Sequence, residues 1–144
     1  MKHSAFQDFH SFLESEMAAF KGSFKDYIYA LPNLFKALCK LLGAQKLAPE
    51  DRQMILAALG YLVAPEDLLP EALYGPAGYI DDVFVCATVL DRLVKKYGSH
   101  FVEPYWDRKT QLVEEFLSAA LPETRQDLGK LADKVLAFTG LEEA

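Results

Sequence analysis

The stretch Tyr61–Asp82, YLVAPEDLLPEALYGPAGYIDD, decides how the 144-residue chain is read. It joins two of the most apolar segments through three prolines, two glycines and five carboxylates. From Gln53 to Asp91 there is no Lys, Arg or His, yet Glu66, Asp67, Glu71, Asp81, Asp82 and Asp91 are all acidic. Carboxylates set beside apolar segments need backbone N–H donors, basic side chains from elsewhere, a bound cation or open water.

Before this stretch, Pro49-Glu50-Asp51 puts proline at a first helical position and acids where they complement the positive end of the helix dipole. A helix from about Pro49 to Val63 follows. It is apolar almost all round from Met54 to Ala64, hence central, and Ala64-Pro65 ends it. After the acidic connection a second apolar helix is predicted from about Tyr79 to Tyr97. Asp81 and Asp82 fall in its first turn, Arg92, Lys95 and Lys96 towards its end, and Gly98 stops it.

Upstream, Phe6, Phe9, Leu13, Met17 and Phe20 recur at steps of three and four, the mark of one helical face. Pro32 opens a helix to about Leu42 with Leu34, Phe35, Leu38 and Leu41 on its apolar side and Gly43 just past its end. Downstream, Pro104 is expected to start a helix carrying Leu112, Val113, Phe116, Leu117 and Ala120. Pro122 with Glu123 is expected to start the last one, which runs to Gly140. No segment alternates with period two. The expected fold is all-α: residues 1–144 form a single-domain bundle of about six helices around a central apolar helical hairpin, with a core at about 49–98.

Composition bounds the function. With 51% hydrophobic and 25% charged residues the chain is globular, and its length suits one domain that buries roughly 70% of its unfolded surface. A net charge of −6 gives no basic footprint for nucleic acid. Cys39 and Cys86, without CxxC spacing, read as reduced, buried packing residues. The polar, acid-containing start argues against a secretory signal, and the uncharged run Gln53–Pro65 is too short to span a bilayer. The expected location is cytoplasmic. Peripheral attachment to a membrane surface is an alternative that the acidic charge disfavours.

Tyr61, Pro65, Asp67, Leu68, Pro70, Gly78, Tyr79, Asp81 and Asp82 together resemble a known family, the YkvA-like domain of unknown function. Its pattern is an apolar helix ending in tyrosine and aliphatics, Pro-x-Asp-Leu-x-Pro-Asp, a short loop, Gly-Tyr-x-Asp-Asp and another apolar helix. The match covers roughly a quarter of the chain. Glu71 stands where the family has Asp, and the loop from Pro70 to Gly78 is one residue longer. The resemblance implies a helical hairpin and, for some relatives, association with membranes; it implies no activity.

Two readings of the acids stay open. As caps and pins, Asp67 and Asp81 or Asp82 accept hydrogen bonds from helix-start N–H groups, with Arg52 and Arg92 as ion-pair partners. As ligands, Asp67, Glu71, Asp81 and Asp82 offer the oxygens that Mg²⁺, Mn²⁺ or Ca²⁺ prefers, gathered at one end of an antiparallel hairpin. The spacing is not that of an EF-hand, and the chain has no Gly-x-Ser-x-Gly, phosphate-binding loop or His-Glu-x-x-His. His3, His10 and His100 lie outside the central motif, and Cys86 lacks an evident base. Tyr61, Tyr74, Tyr79, Phe84, Tyr105 and Trp106 either fill the core or serve an interaction surface, for which Leu73 and Tyr74 are the loop candidates. The expectation is a non-catalytic binding or scaffolding module with no cofactor, whose partner is another protein or a second copy. A divalent-metal carboxylate protein, as a hydrolase, is the alternative.

Overall fold

The computed structural model describes residues 5–19, 26–63, 79–108 and 110–141. Among them there are seven α-helices and no strand: α1 (Ala5–Ala19), α2 (Leu31–Leu41), α3 (Pro49–Val63), α4 (Ile80–Tyr97), α5 (Ser99–Val102), α6 (Val113–Leu128) and α7 (Leu131–Thr139). Short 3₁₀ turns, Asp26–Ala30 and Glu103–Tyr105, lead into α2 and follow α5.

Among the described residues the all-α expectation holds, with seven helices where about six were expected for the chain. The extra element is α5, a single turn after Gly98. Gly98 stops α4 as expected, at φ 97°, a left-handed value that favours glycine; a Cβ there would lie 2.9 Å from the His100 ring. Gly43, by contrast, has no positive φ, and α2 closes through backbone bonds from Leu42 and Gly43.

Two proline expectations are corrected. Pro104 sits in the 3₁₀ turn Glu103–Tyr105, and the long helix that follows begins only at Val113. The start of α6 is set by carboxylates: Glu115 accepts from the Leu112 N–H at 3.2 Å, and Glu103 from the Val113 N–H at 3.0 Å. These satisfy N–H groups that a helix start leaves orphaned. Pro122 does not open the last helix; it lies inside α6. An interior proline lacks its N–H and costs about 3 kcal/mol, which the packing of Phe116, Leu117, Ala120 and Leu128 must offset. The last helix begins at Leu131, after Gly129 at φ 57°.

The core is built around α4, which packs against α2, α3, α6 and α7. Val83, Phe84, Val85, Cys86, Ala87, Val89, Leu90 and Leu93 are all buried, so the helix is apolar on nearly every side through its middle. Leu31, Leu34, Phe35, Leu38 and Leu41 of α2, and Ile55, Ala58 and Leu59 of α3, face it within the same core. Leu13 and Met17 of α1 join it, and the Phe9 ring meets Phe35 at 5.1 Å. Phe20 and the Phe6 side chain lie outside the described residues. Truncating a fully buried aromatic such as Phe35 or Phe84 to alanine removes about 3–5 kcal/mol.

No helix among the described residues is long and apolar enough to cross a membrane.

Candidate functional site

The site is built on the central hairpin, α3 followed by α4. Its two helices run antiparallel, and each end is closed by the same pair of residue types. At one end Tyr61, in the last turn of α3, donates its hydroxyl to Asp81 Oδ2 in the first turn of α4, at 2.5 Å. At the other, Tyr97, the last residue of α4, donates to Asp51 Oδ2 in the first turn of α3, at 2.6 Å. Each aspartate sits at a helix N-terminus, where the dipole favours negative charge, and each tyrosine comes from the helix that ends beside it.

The electrostatics of the two ends differ. Asp81 and Asp82 are both 0% exposed, and Tyr61 and Tyr79 are buried around them. A buried carboxylate gives up its hydration and must recover it from fixed donors, of which the Tyr61 hydroxyl is one. At the far end Lys96 Nζ reaches Asp51 Oδ2 at 2.7 Å and Glu50 at 3.5 Å, with the lysine side chain partly in solvent. The Tyr97 hydroxyl also accepts from the Ala48 N–H at 2.9 Å, just before the helix begins. Burial works against the Asp51 carboxylate, but the bonds from Lys96 and Tyr97 and the lysine charge outweigh it and hold its pKa below the usual range.

The basic residues expected to pair with the acids do something else. Arg52 donates to the Leu42 carbonyl at 2.5 Å and to Ala44 at 3.4 Å, and Arg92 donates to the Leu141 carbonyl. They tie helix ends rather than carboxylates, because carbonyls at a helix C-terminus attract guanidinium groups.

Cys86 lies one turn after Asp82 and is buried; burial raises its pKa well above the usual thiol range, and the Asp82 charge pushes the same way. Cys39 is half-buried, and burial pushes it up to about 11. Both thiols keep their protons at neutral pH, as packing residues do. Of the aromatics, Tyr61, Tyr79, Phe84 and Trp106 are buried and belong to the core, and Tyr105 packs partly buried against it. His10 lies 3.4 Å from Glu14, one turn along α1.

Tyr61, Tyr79, Asp81 and Asp82 therefore gather at one end of the hairpin. Pro65, Asp67, Pro70, Glu71, Leu73, Tyr74 and Gly78 lie outside the described residues. Among the described residues no group of three or more His, Cys, Asp or Glu side chains is arranged to hold a metal ion. Sequence reasoning missed the Asp51–Tyr97–Lys96 cluster. Its signal was present in the spacing: an aspartate in the first turn of one helix and a tyrosine in the last turn of the next repeat the Tyr61–Asp81 arrangement in reverse.

Comparison with known proteins places this hairpin. The model for "Protein of unknown function (DUF1232)" matches residues 51–88, from the Asp51 end of α3 to the middle of α4. "Uncharacterized protein ORF9" of Methanothermobacter thermautotrophicus is 33% identical over 129 residues, covering 90% of this chain and 88% of that protein. "E3 ubiquitin-protein ligase RNF170" of Xenopus laevis is 53% identical over 36 residues, 25% of this chain and 14% of the ligase; the Xenopus tropicalis ligase is 50% identical over the same length. No solved structure matches the chain. The chain belongs to one family with the ORF9 protein of Methanothermobacter thermautotrophicus, and the DUF1232 match falls on its central hairpin.

Proposed function

We propose that the protein is a non-catalytic binding or scaffolding module, a YkvA-like domain in which the locked hairpin is the frame and an apolar face beside the Tyr61 end is the contact surface. The observation that carries this reading is the outer side of α3. Leu56 and Val63 are 49% and 47% exposed, and Gly60 lies between them at helical spacing with nothing within 4 Å of where its Cβ would stand. Phe138 of α7, 66% exposed, adds a further exposed apolar side chain, packed edge-on against the buried Tyr61 ring at 5.7 Å. Single exposed apolar residues are ordinary, but Leu56 and Val63 share one helix face, as residues of a protein contact do. The 36-residue similarity to part of a much longer ligase supports a unit that is used inside other architectures. The partner is another protein's apolar helix or a second copy, and Leu73 and Tyr74 are further contact residues in the connection.

Sedimentation velocity over a concentration series, repeated in Leu56→Ser/Phe138→Ser, tests this. Self-association, or binding of an added amphipathic helix, that disappears in the variant while its helicity is kept supports the module. A divalent-cation-dependent hydrolase activity abolished by Asp82→Asn contradicts it.

That outcome would favour the second reading, a carboxylate site for Mg²⁺, Mn²⁺ or Ca²⁺ using Asp67, Glu71, Asp81 and Asp82. Its support is that Asp81 and Asp82 are adjacent and shut away from solvent, a placement that a bound cation would stabilise.

A further inference from the structure

One side of α4 runs from the core at Phe84 out into a groove. Phe84, Thr88, Arg92 and Lys95, at steps of four, four and three, form its floor and one wall, and α6 and α7 supply the rest through Leu121, Pro122, Arg125 and Leu136. The groove has a volume of about 480 Å³, within the range of small-molecule sites. Its walls are of two kinds. Phe84, Leu121 and Leu136 give an apolar floor, whereas Arg92, Lys95 and Arg125 bring three cations against one carboxylate, Asp91. In a chain of net charge −6 such a positive lining stands against the overall field.

The lysine charge is paired locally, whereas the two arginine charges are at most weakly so. Lys95 and Asp91 pair at 2.8 Å within α4. Among the described residues Arg92 is held by the neutral carbonyl of Leu141, which fixes the guanidinium and leaves its charge. Arg125 lies 5.4 Å from the centre of the Phe84 ring, and Asp133 reaches it from outside the groove at 3.4 Å with both side chains in solvent, a weak pairing. The wall from α6 is also where that helix breaks a local rule. Pro122 removes a helical N–H there, and the buried Thr124 hydroxyl donates to the Ala120 and Leu121 carbonyls at 2.8 and 3.1 Å. Departures from local preference inside an otherwise regular fold concentrate at functional sites.

We propose that this groove binds an anionic amphiphile: a phosphate or carboxylate head between Arg92 and Arg125, and a short apolar tail over Phe84, Leu121 and Leu136. Guanidinium groups suit such heads because they offer planar, paired N–H donors. Both halves of the ligand contribute, the head by answering the two guanidinium groups and the tail by covering the apolar surface beside them.

Isothermal titration of the full chain with hexyl phosphate, inorganic phosphate and hexanol tests this. Hexyl phosphate is expected to saturate the protein and to bind at least about tenfold more tightly than either control, and Arg125→Gln to weaken it about tenfold. Thr88→Trp, which fills the groove without touching a charge, is expected to abolish binding. Arg92→Gln is expected to act like Arg125→Gln; because it also frees the Leu141 carbonyl, the Arg125 and Thr88 variants, checked for unchanged melting, decide the matter. Co-sedimentation with phosphatidic acid vesicles that is lost in Arg125→Gln assigns the head to a bilayer lipid, and hexyl phosphate binding without co-sedimentation assigns it to a free amphiphile. Hexyl phosphate binding no tighter than inorganic phosphate, or unchanged in both Arg125→Gln and Thr88→Trp, overturns the proposal.

Discussion

The two ends of the central hairpin use the same pair of residues under opposite conditions. Tyr61 meets Asp81 where the carboxylate is fully buried, and Tyr97 meets Asp51 where a partly exposed lysine shares the contact. The pairing geometry is nearly the same, so the contribution of each bond should follow its surroundings. Removing a donor from a buried charge leaves a desolvated acceptor, whereas removing one beside lysine and water leaves an acceptor that is still served.

The largest effect is expected from Asp81→Ala, which takes the acceptor from the buried Tyr61 hydroxyl and opens a polar void; a loss of about 3 kcal/mol in urea unfolding would fit, by the cost of breaking a buried charged hydrogen bond. Tyr61→Phe should lose about 2 kcal/mol, and Tyr97→Phe about 1 kcal/mol, measured the same way. Equal losses in the two phenylalanine variants would break the comparison, because burial would then not be what separates the ends.

Acid titration sharpens it. The Asp51 carboxyl is held below the usual range in the folded state, so its contribution is present above the unfolded carboxyl pKa of about 3.9 and disappears as pH falls through the lower folded value. Asp51→Asn should therefore be less stable than the parent at pH 7, with the gap closing below about pH 4. The smallest effect belongs to Lys96→Ala: a slight loss of stability at low salt that fades as ionic strength rises. A salt-independent loss would mean that the lysine acts through packing.

How much of this was legible in the sequence follows the same division between local and long-range causes. The start of α3 and the end of α4 were readable because Pro49 and Gly98 act on the backbone next to them, whereas Ala64-Pro65 lies outside the described residues. The start of α6 was not, because Glu115 and Glu103 cap it through side chains, one of them from ten residues away. Pro122 misled for a related reason: a proline reads as a helix start, but the tertiary packing of α6 tolerates it inside. The acidic end of the hairpin was visible as a run of sequence that contains acids and no Lys, Arg or His. The Asp51–Tyr97 end was missed because its partners are 46 residues apart, and their positions in the first and last turns point to each other only once the two helices are paired antiparallel. The groove formed by α4, α6 and α7 was equally hidden, since its cations come from separate helices.

The central claim is that the buried acidic end, Asp81 accepting from the Tyr61 hydroxyl with Asp82 buried beside it, is a structural closure of the hairpin. Thermal unfolding of metal-stripped protein and of Asp82→Asn, each with and without millimolar Mg²⁺, Mn²⁺ and Ca²⁺, tests it most directly, because a cation that binds only the folded state must raise the melting temperature. The account predicts no rise with any of the three and a lower melting temperature for Asp82→Asn in every condition. A rise in the parent that vanishes in Asp82→Asn, with the variant otherwise as stable as the parent, would contradict it and make these aspartates metal ligands.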